Sequence, residues 1–133
     1  MVDLTHAFAT DMMRLRAVAL GDRDFDQMCR LLFDYAVCAY SGLRQSASMS
    51  ILNWANRYDA DGRAMIVGSR AGAPAPIAAL VNGTIAHSYE LDDTHDATLS
   101  HPGSVVISAA LAVASERNAT GLDFVRAVLA GYE

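Results

Sequence analysis

Between Asn82 and Gly103 the chain reads NGTIAHSYELDDTHDATLSHPG. That stretch holds His87, His95 and His101, three of the four histidines, with Glu90, Asp92, Asp93 and Asp96, four of the fifteen acidic residues. Apolar residues lead into it from Ile77 and out of it from Val105. Titratable side chains set in apolar surroundings are costly unless they are paired, solvated in a cleft, or used. An imidazole near its unperturbed pKa can take or give a proton at neutral pH. A carboxylate can position a substrate or tune an imidazole, and a hydroxyl such as that of Thr94 can donate to a bound carboxylate.

Read as helix from Ile77 to about Asp93, the stretch puts Gly83, His87, Glu90 and Thr94 at i, i+4, i+7 and i+11, on one face. The glycine leaves space there, and the other three supply the chemistry. Asp92 and Asp93 point elsewhere and read as supports of the turn where the helix ends. Pro102 disfavours helix at His101, so a new helix should begin close by, with free N–H groups from about Ser104. Such an end attracts a carboxylate or phosphate. A ligand carboxylate would lie on those amides, with His101 beside it and the Glu90/Thr94 face opposite. His101 is then the candidate general acid/base, Thr94 a donor to substrate, and Glu90 a residue that positions substrate or tunes a histidine. Ser104 joins them as a substrate contact. His87 reads as a support between helices, and His95 as an exposed residue paired with neighbouring aspartates.

Three other chemistries compete for the same residues. The blandest is a solvated acidic loop with satisfied histidines. A transition-metal site could draw donors from His87, Asp92, Asp93, His95 and His101, but there is no HExxH and no cysteine pair, and no metal is expected. Asp92-Asp93-Thr94-His95-Asp96 also has the DDxxD form that holds magnesium on a diphosphate in prenyl synthases. Here it lacks a second acidic motif and any lysine.

The elements that must position these residues are helical. Leu4, Ala7, Phe8, Met12, Leu15, Val18 and Ala19 recur at helical spacing up to Gly21. A second helix, capped by Asp22 or Asp24, carries Phe25, Met28, Leu31, Leu32, Tyr35 and Ala39 and closes at Gly42. A third, capped by Ser46 or Ser48, carries Ile51, Leu52, Trp54, Ala55 and Tyr58, and Asp59 to Gly62 forms a turn. Ala64 to Val67 reads as a short strand or extended link, and Gly68 to Pro76 as a loop. Ser104 caps a very apolar helix, Val105 to about Glu116, which should be central and buried. Asn118 breaks it, and Thr120 with Asp123 caps a last helix through Leu122, Val125, Val128 and Leu129. The expected fold class is therefore all-α, a single domain over 1–133 with one short strand near 64–67.

Composition narrows the partners. Of the 133 residues 53% are apolar, which is much for a small globule to hide. Part of that surface should lie against a partner subunit or a further part of the protein. A net charge of −5 with no lysine argues against nucleic acid and against an anionic membrane. Cys29 and Cys38, if on one helix, lie on opposite faces about 13 Å apart along its axis. They read as buried thiols of a reducing compartment, and with no signal peptide or spanning segment in view the expected location is cytoplasmic.

Within Pro74 to Ser115, the run ALVNGTIAHSYELDDTHDATLSHPGSVVISAALAVAS resembles the signature of the MmgE/PrpD family. Similarity extends to LLFDYAVCAYSG (Leu31 to Gly42), to Met65–Gly68 and to the closing TGLDFVRAVLAGYE. The family includes 2-methylcitrate dehydratase, cis-aconitate decarboxylase and iminodisuccinate epimerase. The resemblance implies an N-terminal helical portion of a cofactor-free, metal-free lyase or epimerase acting on a small di- or tricarboxylic acid, commonly dimeric through its helical domain. It implies proton abstraction beside a carboxylate, followed by loss of water, loss of carbon dioxide, or reprotonation. The family's pocket positions correspond here to Glu90, Thr94 and His101, with Asp common where this chain has Glu90. Family chains are several times longer, and later parts add further histidines, a lysine and a tyrosine. The chain alone is therefore expected to be inactive, as a fragment or half of a split enzyme. The alternative is a truncated, non-catalytic helical module for oligomerisation or interaction.

Overall fold

Short-range capping accounts for three of the six helix starts, those of the first, second and last helices. The computed structural model describes residues 3–57 and 62–133, the Arg16 side chain excepted. Asp3 caps α1 (Leu4–Arg16), its carboxylate accepting from the amides of Thr5 and His6 at 3.1 and 3.2 Å. Helix α2 (Asp22–Gly42) starts after Gly21, whose amide donates to the Asp24 carboxylate at 2.8 Å, so neither expected aspartate is itself the cap. Helix α3 (Ser46–Ala55) starts after Gln45, which leaves Ser46 and Ser48 inside its first turn. Tyr58, expected on this helix, and residues 59–61 of the expected turn lie outside the described residues.

A two-residue strand, β1 (Ala64–Met65), stands where a strand or extended link was expected. Its antiparallel partner β2 (Gly72–Ala73) lies inside the segment expected to be loop, with Ala64 opposite Ala73 and Met65 opposite Gly72. Asn82 pins the segment after β1 to α4 (Ala75–His87). Its side chain accepts from the Val67 amide and donates to the Met65 carbonyl, both at 2.8 Å. That is why a polar residue sits fully buried on this helix.

Three boundaries differ from expectation: α1 ends at Arg16, so Val18 and Ala19, expected on it, lie beyond its end. Helix α4 stops at His87, short of Asp93. The Ser88 hydroxyl bonds back to the carbonyls of Thr84 and Ile85 at 2.8 Å each, and Glu90 takes a left-handed φ of 52° that no helix can continue. Helix α5 (Pro102–Arg117) starts three residues before the expected Val105, with His101 at its N-cap. Proline suits a first helical position because its φ is already helical and its missing N–H would have had no partner there. Ser104 is thus inside the helix, its hydroxyl bonded to the His101 carbonyl at 2.9 Å. Asn118, left-handed at φ 51°, ends α5, and Thr120 caps α6 (Gly121–Tyr132) through the Asp123 amide, as the sequence indicated.

The pair α4/α5 is the centre of the molecule. Helix α2 packs across both, α3 against α4, α6 against α5, and α1 against α6. Met28, Val81, Ile85, Ile107 and Val128 are the large side chains sealed at the junctions. Each is worth about 1.5–3 kcal/mol of burial. Gly42 lets α2 touch α4, since a Cβ there would lie 2.0 Å from the Ile85 carbonyl oxygen. Gly83 does the same between α4 and α5, where a Cβ would lie 2.9 Å from the Ser104 carbonyl oxygen.

Helix α5 is central, as expected, but not wholly buried. Val105 is 69% exposed and Val113 48% exposed, one helical face apart from the packed one. The two cysteines also differ from each other: Cys38 is buried and Cys29 exposed on the same helix, so only the first is a buried thiol. Among the described residues no helix is long and apolar enough to cross a membrane.

Candidate active site

The early stop of α4 and the early start of α5 leave residues 88–101 to turn the chain between two packed helices. That turn brings three titratable groups together. The Asp92 side chain is 1% exposed. Its oxygens lie 3.0 and 3.2 Å from Nδ1 of His87, at the last turn of α4. One of them lies 3.4 Å from Nδ1 of His101, at the mouth of α5. The two rings face each other, with centroids 4.5 Å apart and planes tilted by 56°. A buried carboxylate needs such partners.

Asp93 turns the other way. Its carboxylate accepts from the Gly103 amide at 2.8 Å and from the Tyr132 hydroxyl at 2.7 Å. It therefore fills the first turn of α5, where a ligand carboxylate was expected, and ties that turn to the last turn of α6. Burial, and after it the Asp93 bond and charge, push the Tyr132 hydroxyl well above the ordinary tyrosine range. The Cys38 thiol is raised too, first by burial and then by the charges of Asp34, Asp92 and Asp93. Tyr35 is raised by burial, offset in part by its bond to Ser108. That 2.8 Å bond pairs two polar tips where α2 and α5 cross in the buried interior.

The single helical face expected of Gly83, His87, Glu90 and Thr94 does not form, because α4 ends at His87. Glu90 is exposed on the turn at φ 52°. Thr94 is exposed and directs its hydroxyl to the Asp92 carbonyl at 3.4 Å, the same oxygen that His101 Nδ1 approaches at 3.4 Å. Thr94 and His101 thus converge on Asp92. His87 and Ser104 line a groove of about 580 Å³ between α3, α4 and α5 that also includes Gly83, Thr84 and Ser88, while Glu90, Thr94 and His101 are not among its lining residues. His95 is exposed as expected, but its ring bonds the Thr98 hydroxyl at 2.8 Å and, among the described residues, no aspartate.

Among the described residues the donors close enough to share a metal ion are His87, Asp92 and His101, all within 4.8 Å of one another. Two imidazoles and a carboxylate would suit a transition metal. Asp92, Asp93 and Asp96 do not gather in that way, so DDxxD makes no joint magnesium site here. Reading the sequence missed Tyr132 and Asn82. Tyr132 lies 39 residues from its partner Asp93. Asn82 beside Gly83 did carry a signal, a helix-breaking pair inside an apolar helix, which usually marks a packing demand.

Over residues 6–133 the chain matches the N-terminal domain of the MmgE/PrpD family. It is similar to the cis-aconitate decarboxylase-like protein oryM of Aspergillus oryzae, with 29% identity over 110 residues. That similarity covers 77% of this chain and 23% of the relative, so the chain spans about a quarter of that relative's length. No solved structure matches the chain.

Proposed function

The chain belongs to the MmgE/PrpD family, and from that premise we propose that it supplies one wall of the pocket of a lyase or epimerase acting on a small di- or tricarboxylic acid. The observation that carries this reading is the meeting of His101 and Thr94 over Asp92 at the α4–α5 turn. His101 is the general base. It removes a proton from the carbon next to a substrate carboxylate, and the C–H electron pair stays on that carbon. In a dehydration that pair forms a double bond as hydroxide leaves and is protonated to water. In an epimerisation the carbon is reprotonated from its other side. A decarboxylation needs no such abstraction: the C–CO₂ pair stays on carbon as carbon dioxide leaves, and His101, entering as the imidazolium, gives that carbon the one proton that replaces it. Thr94 donates to a substrate carboxylate, Ser104 supports that contact, and Glu90 positions the substrate from the turn.

The parts of the pocket that choose among these outcomes lie outside this chain. Its uncovered apolar surface supports the same reading: Val105, Val113 and a groove of about 550 Å³ between α5 and α6 offer a seat for the remaining part of such an enzyme or for a second copy. That surface equally favours the second reading, a helical association module without catalysis. The experiment is an assay with cis-aconitate and 2-methylcitrate of the chain alone and of a longer polypeptide that carries it. The expected result is no turnover by the chain alone, turnover by the longer protein, and a loss of roughly 10²- to 10⁴-fold in His101→Gln. Full activity in His101→Gln sinks the assignment of the base. No turnover by the longer protein on either acid favours the association module.

A further inference from the structure

The Asp92 carboxylate has no task in the scheme above, yet it is almost wholly buried and faces two imidazoles. His87 Nδ1 is 3.0 and 3.2 Å from its two oxygens. His101 Nδ1 is 3.4 Å from Oδ1 and 3.4 Å from the carbonyl oxygen of the same residue. A carbonyl and an ionised carboxylate can only accept. An imidazole nitrogen facing them must then carry hydrogen, because a lone pair there would oppose lone pairs. Neutral imidazole has one N–H, so a hydrogen on Nδ1 leaves Nε2 as the acceptor.

We propose that Asp92 is a positioning residue that holds both His87 and His101 as Nδ1–H tautomers, so that Nε2 of His101 is the proton acceptor of the pocket. Its side chain serves both rings and its main-chain carbonyl adds a second acceptor for His101. The catalytic meaning rests on His101 as the base; the tautomers rest on the distances alone. When Nε2 takes a proton from carbon, His101 becomes an imidazolium whose Nδ1–H already faces Oδ1 and the main-chain carbonyl oxygen of Asp92. Orientation follows as well, since a ring tied at Nδ1 points Nε2 away from Asp92. The tuning task that the sequence offered to Glu90 thus falls to Asp92.

The same three donors could instead share a metal ion, and both Nδ1 atoms would then carry metal and no hydrogen. One measurement separates the two states. Long-range ¹H–¹⁵N correlation spectra of the ¹⁵N-labelled chain at neutral pH report which ring nitrogen is protonated, with assignments from His87→Gln and His101→Gln. Both rings are expected to show Nδ1–H and a bare Nε2, while exposed His6 shows the solvent mixture led by Nε2–H. In Asp92→Asn the His87 signals move to the His6 pattern. An Nε2–H tautomer at either wild-type ring overturns the proposal, and so does an unchanged His87 in Asp92→Asn. Stoichiometric zinc retained by the purified chain, with both Nδ1 atoms metallated, overturns it too. If Asp92→Asn does not fold, the wild-type spectrum decides by itself. No substrate enters the measurement, so the lyase reading can fail while the tautomers hold, and the reverse.

Discussion

Glu90 is the residue whose backbone works against its own side chain. A non-glycine residue at φ 52° sits in a region that costs on the order of 1 kcal/mol. Glycine there would relieve the strain, though its freer unfolded chain takes back part of the gain. Glu90→Gly is therefore expected to leave stability unchanged or raise it by up to about 1 kcal/mol in urea unfolding. The same change removes the carboxylate. In a catalytically competent protein carrying this chain, turnover should fall while stability does not, and a parallel loss of both would show that Glu90 only holds the turn. Tyr132 gives a second expectation. Its raised pKa means that the folded state favours the neutral phenol, so this stabilisation is full below its ordinary value of 10.0 and is lost as pH rises above it. Tyr132→Phe should cost about 1–2 kcal/mol at neutral pH through the lost bond to Asp93. It should also flatten the alkaline fall in stability above pH 10, leaving the shares that Tyr35 and Cys38 contribute.

At the scale of elements, the closeness of α2, α4 and α5 does more than any one contact to place the site. Gly42→Ala pushes a methyl into the Ile85 carbonyl, backbone that cannot swing aside. The expected cost is about 1–3 kcal/mol in chemical unfolding, with a weaker His87–Asp92 contact, because Ile85 and His87 share the last turns of α4. A mutant as stable as wild type would mean that α2 can slide along α4. Helix existence was legible throughout: Leu4 to Leu15, Phe25 to Ala39 and Val125 to Leu129 each show the 3.6 period and each is helix. The end of α4 was not legible. No glycine or proline lies between Gly83 and Pro102, and what stops the helix is a serine hydroxyl turning back on its own carbonyls and a glutamate in a left-handed pose. Neither has a pattern in sequence. The histidines were legible as chemistry, but their meeting over Asp92 depends on that stop, so the sequence placed Asp92 on the wrong side of a helix that is not there.

For the whole molecule, the question is where its apolar surface goes. Val105 and Val113 lie about two turns apart along the same side of α5, and Leu4, Phe8, Phe33 and Tyr40 are also largely exposed. So much uncovered apolar area is beyond what a solitary small domain commonly shows. The chain alone is expected to associate as its concentration rises. Val105→Glu with Val113→Glu should shift sedimentation toward monomer while the circular dichroism spectrum keeps its helical form. An unchanged distribution would move the interface away from α5, to the outer faces of α1 or α2.

The bond between Tyr132 and Asp93 also changes the range of the contacts that hold the turn. Asp92 meets His87 and His101 across separations of only five and nine residues. Asp93 takes the Gly103 amide ten residues on, but its second partner lies 39 residues further along the chain, and closing a longer loop costs more entropy before any contact rewards it. Two aspartates adjacent in sequence thus draw on contacts of different range. The histidine cluster is built from the turn and the two helices that flank it. Tyr132 adds a tie from α6, so a helix distant in sequence braces the turn that carries the site.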